Sequence, residues 1–128
     1  MVHAERATAV LHRTRTPAET VRPGLSRRII RTGQLMTVTI DFEDGPWADA
    51  DPFHSHPHEQ TCYVAEGEVL FLSEGQETRK LSAGDLFAVP PDIPHSIQLL
   101  SRTARLVDTF HPVREDFIAQ APDADSRK

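Results

Sequence analysis

Between Leu25 and Phe110 the sequence divides into short runs of alternating or continuous apolar residues, separated by turn residues at roughly ten-residue intervals. Sandwiches and barrels have this rhythm, and helical periodicity is nearly absent, so the chain is expected to be all-β. The pattern predicts strands over Leu25–Arg31, Leu35–Phe42, Gln60–Ala65, Glu68–Ser73, Glu77–Leu81, Leu86–Val89, His95–Leu100 and Arg105–Phe110, with Glu66-Gly67 and Glu74-Gly75 as hairpin turns. One short helix is expected near Arg114–Ala119. Met36, Val38, Ile40 and Phe42 alternate with Leu35, Thr37, Thr39 and Asp41, which sends the first set to a core. Val69-Leu70-Phe71-Leu72 is apolar on both faces. Its outer face needs a cover, and a second copy in a homodimer is expected to supply it, against the alternative of the chain's own N-terminal arm.

At 128 residues the chain fits one domain. A formal charge of -5 argues against a nucleic acid partner, and a lone Cys62 cannot form an internal disulfide. No apolar run is long enough for a membrane span, and Met1-Val2-His3-Ala4-Glu5-Arg6 lacks the layout of a secretion leader. A cytoplasmic protein is expected, acting on a small-molecule substrate, with no membrane partner. Seven arginines (6, 13, 15, 22, 27, 28, 31) crowd the first 33 residues against Glu5 and Glu19. That asymmetry reads as a solvated arm and first strand more readily than as an anion-binding arm.

Four of the seven histidines lie in two short stretches, His54-Ser55-His56-Pro57-His58 and Pro94-His95. In an extended segment residues two apart share a side, so His54 and His56 can offer two imidazoles to one ion. Gln60 would add a neutral oxygen and His95 a third nitrogen, a set suited to one divalent transition metal: nickel, manganese, iron, cobalt, zinc or copper. An octahedral ion would keep two positions open for water or substrate. A single histidine is more often a surface or hydrogen-bonded residue, and it is the clustering that favours ligation. His58 reads as a loop residue supporting the site, and His3, His12 and His111 as solvent-facing.

The run His54-x-His56-x-x-x-Gln60, followed by six residues and Gly67, resembles the first motif of the cupin superfamily. Gly84, five residues, Pro90 and Pro94-His95 resemble the second, with Asp92 where Gly is usual and Leu99 where Asn is usual. The resemblance implies a cupin β-barrel, a double-stranded β-helix or jelly roll, over residues 25–118, with an N-terminal arm at 1–24 and a frayed tail at 119–128. It implies little about the reaction, because one fold hosts many chemistries. Gln60 stands where Glu is the usual ligand. A neutral ligand leaves the full charge of a dication on the site, which favours polarising a carbonyl or hydroxyl oxygen over activating oxygen.

The segment Asp108 to Phe117 is similar to the closing segment of small cupins of the pectin-degradation type, which convert unsaturated uronates into linear keto-sugars; there an Asp, a Phe and an Arg at this spacing line the pocket. Alternation independently places Asp108 and Phe110 on one face with Leu106. A carboxylate facing an apolar interior is costly unless it is used, which makes Asp108 the candidate general acid/base. Arg114 is the candidate clamp for a substrate carboxylate, against the alternative of a surface ion pair with Glu115 or Asp116. Phe110 and Cys62 are candidate substrate-contacting residues, Cys62 sharing a face with Gln60. As a thiol, Cys62 reads first as a small buried hydrophobe, with no Lys or Arg nearby in sequence to activate it.

These residues describe a metal-dependent isomerase, lyase or cyclase working by Lewis-acid polarisation and proton transfer. The alternatives are an iron-dependent dioxygenase on the same ligands, or a non-catalytic cupin that binds a small ligand. Manganese cupins that cleave cyanohydrins share a three-His, one-Gln set, but their surroundings do not resemble His58-Glu59 or the Arg114–Phe117 tail. The acidic stretch around Trp47 is a candidate lid, against the commoner alternative of a solvated loop.

Overall fold

The computed structural model describes residues 7–120. Nine strands and one short helix follow each other in the order β1 (Glu19–Arg22), β2 (Leu25–Thr32), β3 (Leu35–Phe42), β4 (Glu59–Glu66), β5 (Glu68–Ser73), β6 (Arg79–Ser82), β7 (Leu86–Val89), β8 (His95–Leu99), β9 (Ala104–His111) and α1 (Glu115–Gln120), after one 3-10 turn at Arg13–Arg15. They form two antiparallel sheets of a jelly roll, one ordered β1-β2-β3-β9-β4-β7 and the other β6-β5-β8. Among the described residues no helix is long and apolar enough to cross a membrane.

Alternation along the strands sets the two faces. On β4, Gln60, Cys62 and Val64 are buried while Thr61 and Tyr63 are exposed. On β9, Ala104, Leu106, Asp108 and Phe110 are buried. Because the β4–β9 register sets Gln60 opposite Phe110, Cys62 opposite Asp108 and Val64 opposite Leu106, the polar residues of the two strands share one patch of inner face. A core of Phe42, Cys62, Val64, Val69, Leu99, Ala104 and Leu106 joins the two sheets, and a second cluster of Met36, Val38, Phe110 and Val113 packs against Phe117 and Ile118. Burying each large side chain of this kind stabilises the fold by about 1.5–3 kcal/mol.

All eight expected strands are present, with boundaries shifted by a residue or two; the largest change moves Glu77–Leu81 to Arg79–Ser82. Strand β1 was not anticipated, since it falls in the stretch taken for an arm. It forms because Gly24, at φ +80, turns the chain back so that Glu19 pairs with Arg27. Three of the N-terminal arginines are spent on internal pairs: Arg22 with Asp51, Arg27 with Glu19 and Arg28 with Asp41. Asp92 has φ +66, the left-handed conformation that glycine adopts freely and Asp tolerates. Glycine's usual place there in the second motif thus has a backbone reason. Leu70 and Leu72 are half-buried. The tail expected at 119–128 lies outside the described residues from position 121 onward, as does His3.

Trp47 is not a free lid. Its backbone N–H donates to the Leu99 carbonyl at 2.9 Å, its carbonyl accepts from Gln98 Nε2 at 2.9 Å, and its ring meets Phe42 edge-on at 5.6 Å. The acidic loop is stitched to β8 by these bonds, so Trp47 belongs to the wall.

Candidate metal centre and pocket

The loop from β3 to β4 delivers two histidines to the end of β8. His54 and His95 form an isolated antiparallel bridge, with N–H···O distances of 3.1 and 2.9 Å, which brings their rings to 4.4 Å. His56 lies 5.0 Å from His95 and 5.8 Å from His54 between ring centroids. One ligand nitrogen from each of the three can be chosen so that all lie within 4.8 Å of one another. Gln60, at the start of β4, puts Oε1 3.0 Å from His56 Nε2.

The hydrogen bonds around this cluster fix which atoms are available. His95 Nδ1 faces the Ile93 carbonyl at 2.8 Å and His56 Nδ1 faces the His58 carbonyl at 3.2 Å, so each N–H is used on the backbone and each Nε2 keeps a lone pair. His95 Nε2 is buried and has no partner. Gln60 presents Oε1, not its amide nitrogen, to His56 Nε2, and its side chain pulls the Asp108 carboxyl down. Two acceptors, His56 Nε2 and Gln60 Oε1, therefore meet at 3.0 Å with no proton between them. Protonating His56 does not resolve the conflict, because burial, then the Arg114 and His95 charges, push it down to about 4. A cation does resolve it: bonds of about 2.1 Å at a right angle place two ligand atoms about 3 Å apart. His54 is likewise held below its ordinary value by burial and by His95 and Arg114, and His95 by burial. Three neutral imidazoles and one amide oxygen fit a divalent ion on chemical grounds. His58 enters through its carbonyl, which orients His56.

Beside this cluster lies a cavity of about 160 Å³, lined by His54, Gln60, His95, Asp108, Phe110, Arg114 and Phe117 among polar and apolar wall residues. A wider depression of about 460 Å³ lies along Thr61, Ala88 and Thr109 and holds none of the three histidines. Asp108 is buried, and burial raises its carboxyl to about 6 although Cys62, Gln60 and Arg114 all pull it down. One of its oxygens, Oδ1, has no hydrogen-bond partner. Burial keeps the Cys62 thiol far above its ordinary value, so it stays protonated.

The structure thus brings His54, His56, Gln60, His95, Asp108, Phe110 and Arg114 together, and sets Cys62 against Asp108 rather than among the residues lining the cavity. Arg114 combines the two readings offered by the sequence: it is paired with Asp116 through Nε at 3.2 Å and Nη2 at 2.7 Å, and it also lines the cavity. Phe117 was missed, although its spacing of three from Arg114 at the start of a helix is the signal that would have placed both on one face.

A double-sheet jelly roll whose inner face gathers three histidines and an amide oxygen defines a class of protein, and a model of the family described as Cupin domain matches residues 40–110; the chain belongs to that family. It is 36% identical over 104 residues to the pectin degradation protein KdgF of Dickeya dadantii, covering 80% of this chain and 92% of that protein. Among solved structures, KdgF from Halomonas sp. superposes with a TM-score of 0.76 at 32% identity, covering 85% of this chain and 99% of that one. An RmlC-like cupin from Shewanella frigidimarina superposes with a TM-score of 0.76 at 35% identity, covering 88% and 97%.

Proposed function

We propose that this cupin is a metal-dependent isomerase that opens the ring of a small unsaturated uronate to give a linear keto-acid. The observation that carries this reading is Asp108: a buried carboxyl with an unpartnered oxygen, in one cavity with the histidine cluster and an arginine. Similarity to KdgF supplies the substrate class.

The reaction moves protons and no electrons. The hydroxyl at C1 loses its proton, the bond from C1 to the ring oxygen breaks, and the released enol gains a proton at C4 as it becomes a ketone. An ion held by His54, His56, Gln60 and His95 would supply Lewis-acid stabilisation of developing negative charge on oxygen. Asp108, raised to about 6, is the group able to take a proton and return it near neutral pH. Arg114 binds the carboxylate through the guanidinium hydrogens that Asp116 leaves available, and Phe110 packs against the sugar. Cys62 acts through Asp108, as a donor to its carboxylate.

The same reading takes the half-buried Leu70 and Leu72 of β5 as a face covered by a second copy, and places the homodimer in the cytoplasm with the sugar-acid metabolism it serves. The test of function is to incubate 4,5-unsaturated galacturonate with metal-loaded protein and follow loss of the alkene absorbance, with proton resonance to identify the linear product. Acceleration over buffer supports the reading. A rate equal to buffer, with each of the six candidate metals, overturns it.

A further inference from the structure

Two guanidinium groups lie against the ring of Phe117. Arg114 Cζ is 4.0 Å from the ring centroid and Arg27 Cζ is 4.3 Å from it. Arg114 also lies 5.1 Å from the Phe110 centroid, and the two phenylalanines meet edge-on at 5.5 Å. Each cation has its own carboxylate. Glu19 of β1 accepts from Arg27 Nε at 2.6 Å, and Asp116 takes Arg114 by Nε and Nη2. Arg27 sits on the inner face of β2 at 5% exposure, an expensive place for a cation whose only duty is solubility.

This arrangement bears on the direction in which Arg114 points. Asp116 is half-exposed and engages one edge of the guanidinium, leaving Nη1 without a hydrogen-bond partner among the described residues. An arginine held only by Asp116 would be free to swing with it toward solvent. Contact with the rings of Phe110 and Phe117 restrains the guanidinium, and the second cation against Phe117 restrains that ring.

We propose that Arg27 and Phe117 are positioning residues for Arg114: the series Glu19–Arg27–Phe117 holds the remaining edge of the Arg114 guanidinium toward the cavity, where it selects a substrate carrying a carboxylate. The proposal rests on reading Arg114 as a carboxylate clamp. It extends the selective apparatus to β1 and α1, outside both histidine motifs.

The test compares binding of galacturonate and of its methyl ester to metal-loaded protein by calorimetry, with metal content and melting temperature measured for every variant. The wild-type protein is expected to prefer the acid by at least tenfold, and Arg114→Gln to abolish that preference. Arg27→Lys keeps the charge but loses the planar group, and Phe117→Leu keeps bulk but loses the ring. Each is expected to cut the preference by roughly three- to tenfold with metal content unchanged, while Phe117→Tyr restores it. If Arg114→Gln abolishes the preference and the Arg27 and Phe117 variants keep it, or Phe117→Tyr fails to rescue, the positioning role is overturned and the clamp stands. A wild-type protein without preference for the acid, or an Arg114→Gln protein that retains it, overturns the clamp and the positioning role together.

Discussion

Cys62 and Asp108 sit opposite each other across the β4–β9 ladder, and the thiol is among the groups that pull the buried carboxyl down. Gln60 pulls on the same carboxyl, and Oδ1 is left without a hydrogen-bond partner. Gln60 also turns its own oxygen to His56, so one side chain lies between the buried carboxyl and the histidine cluster.

Burial of Asp108 costs stability in a pH-dependent way. Its carboxyl goes from 3.8 when solvated to about 6 in the fold, so the folded state binds the proton more tightly. The penalty is absent below about pH 4 and fully present above about pH 6. Asp108→Asn should therefore stabilise the metal-free protein by roughly 2–3 kcal/mol at pH 7.5 and by almost nothing at pH 4, as read from urea denaturation at the two values. Equal effects at both pH values would contradict the buried carboxyl.

The same substitution should be severe for turnover. Asn cannot exchange a proton, and loss of a positioned acid/base costs about 10²–10⁴-fold in kcat. Metal content should stay at the wild-type level, because Asp108 is not among the ligands.

In the proposed reading Cys62 acts on Asp108 and not as a nucleophile. Cys62→Ala removes a donor to the carboxylate and should move the acid limb of the kcat/KM profile upward, whereas Cys62→Ser retains a donor and should hold it near the wild-type value. The folded protein should also resist thiol reagents at pH 8, since the thiol is buried and protonated. Rapid labelling of the native protein would falsify this account of Cys62.

Lowered histidines change the proton balance of metal binding. At pH 6 three unperturbed imidazoles would release roughly two protons as they bind an ion. His54, His56 and His95 are all held below their ordinary value, His56 at about 4, so calorimetry in buffers of different ionisation enthalpy should show fewer.

Much of the molecule was legible because alternation is a local signal: Met36 to Phe42 and Leu106 to Phe110 read correctly from period two alone. The grouping of His54, His56 and His95 was legible because the first two lie two residues apart on an extended segment and the motif spacing supplies the third. What escaped depends on distant partners. Strand β1 is held by Arg27, whose burial among Leu25 and Ile29 is visible only once β2 is paired, although a charge between two apolar residues of one face was the available hint. Phe117 was hidden in a six-residue helix too short to show an apolar stripe. The place of Trp47, a candidate lid or part of a solvated loop, was not legible because loop composition says nothing of the bonds that tie it to β8.

In the proposed site His54, His56, Gln60 and His95 hold one divalent ion. The decisive measurement is elemental analysis of the protein purified without added metal, beside His56→Ala. Close to one transition-metal ion per chain is expected, lost in the variant. An absence of metal in the wild-type protein, persisting after reconstitution with nickel, manganese, iron, cobalt, zinc and copper, would contradict it.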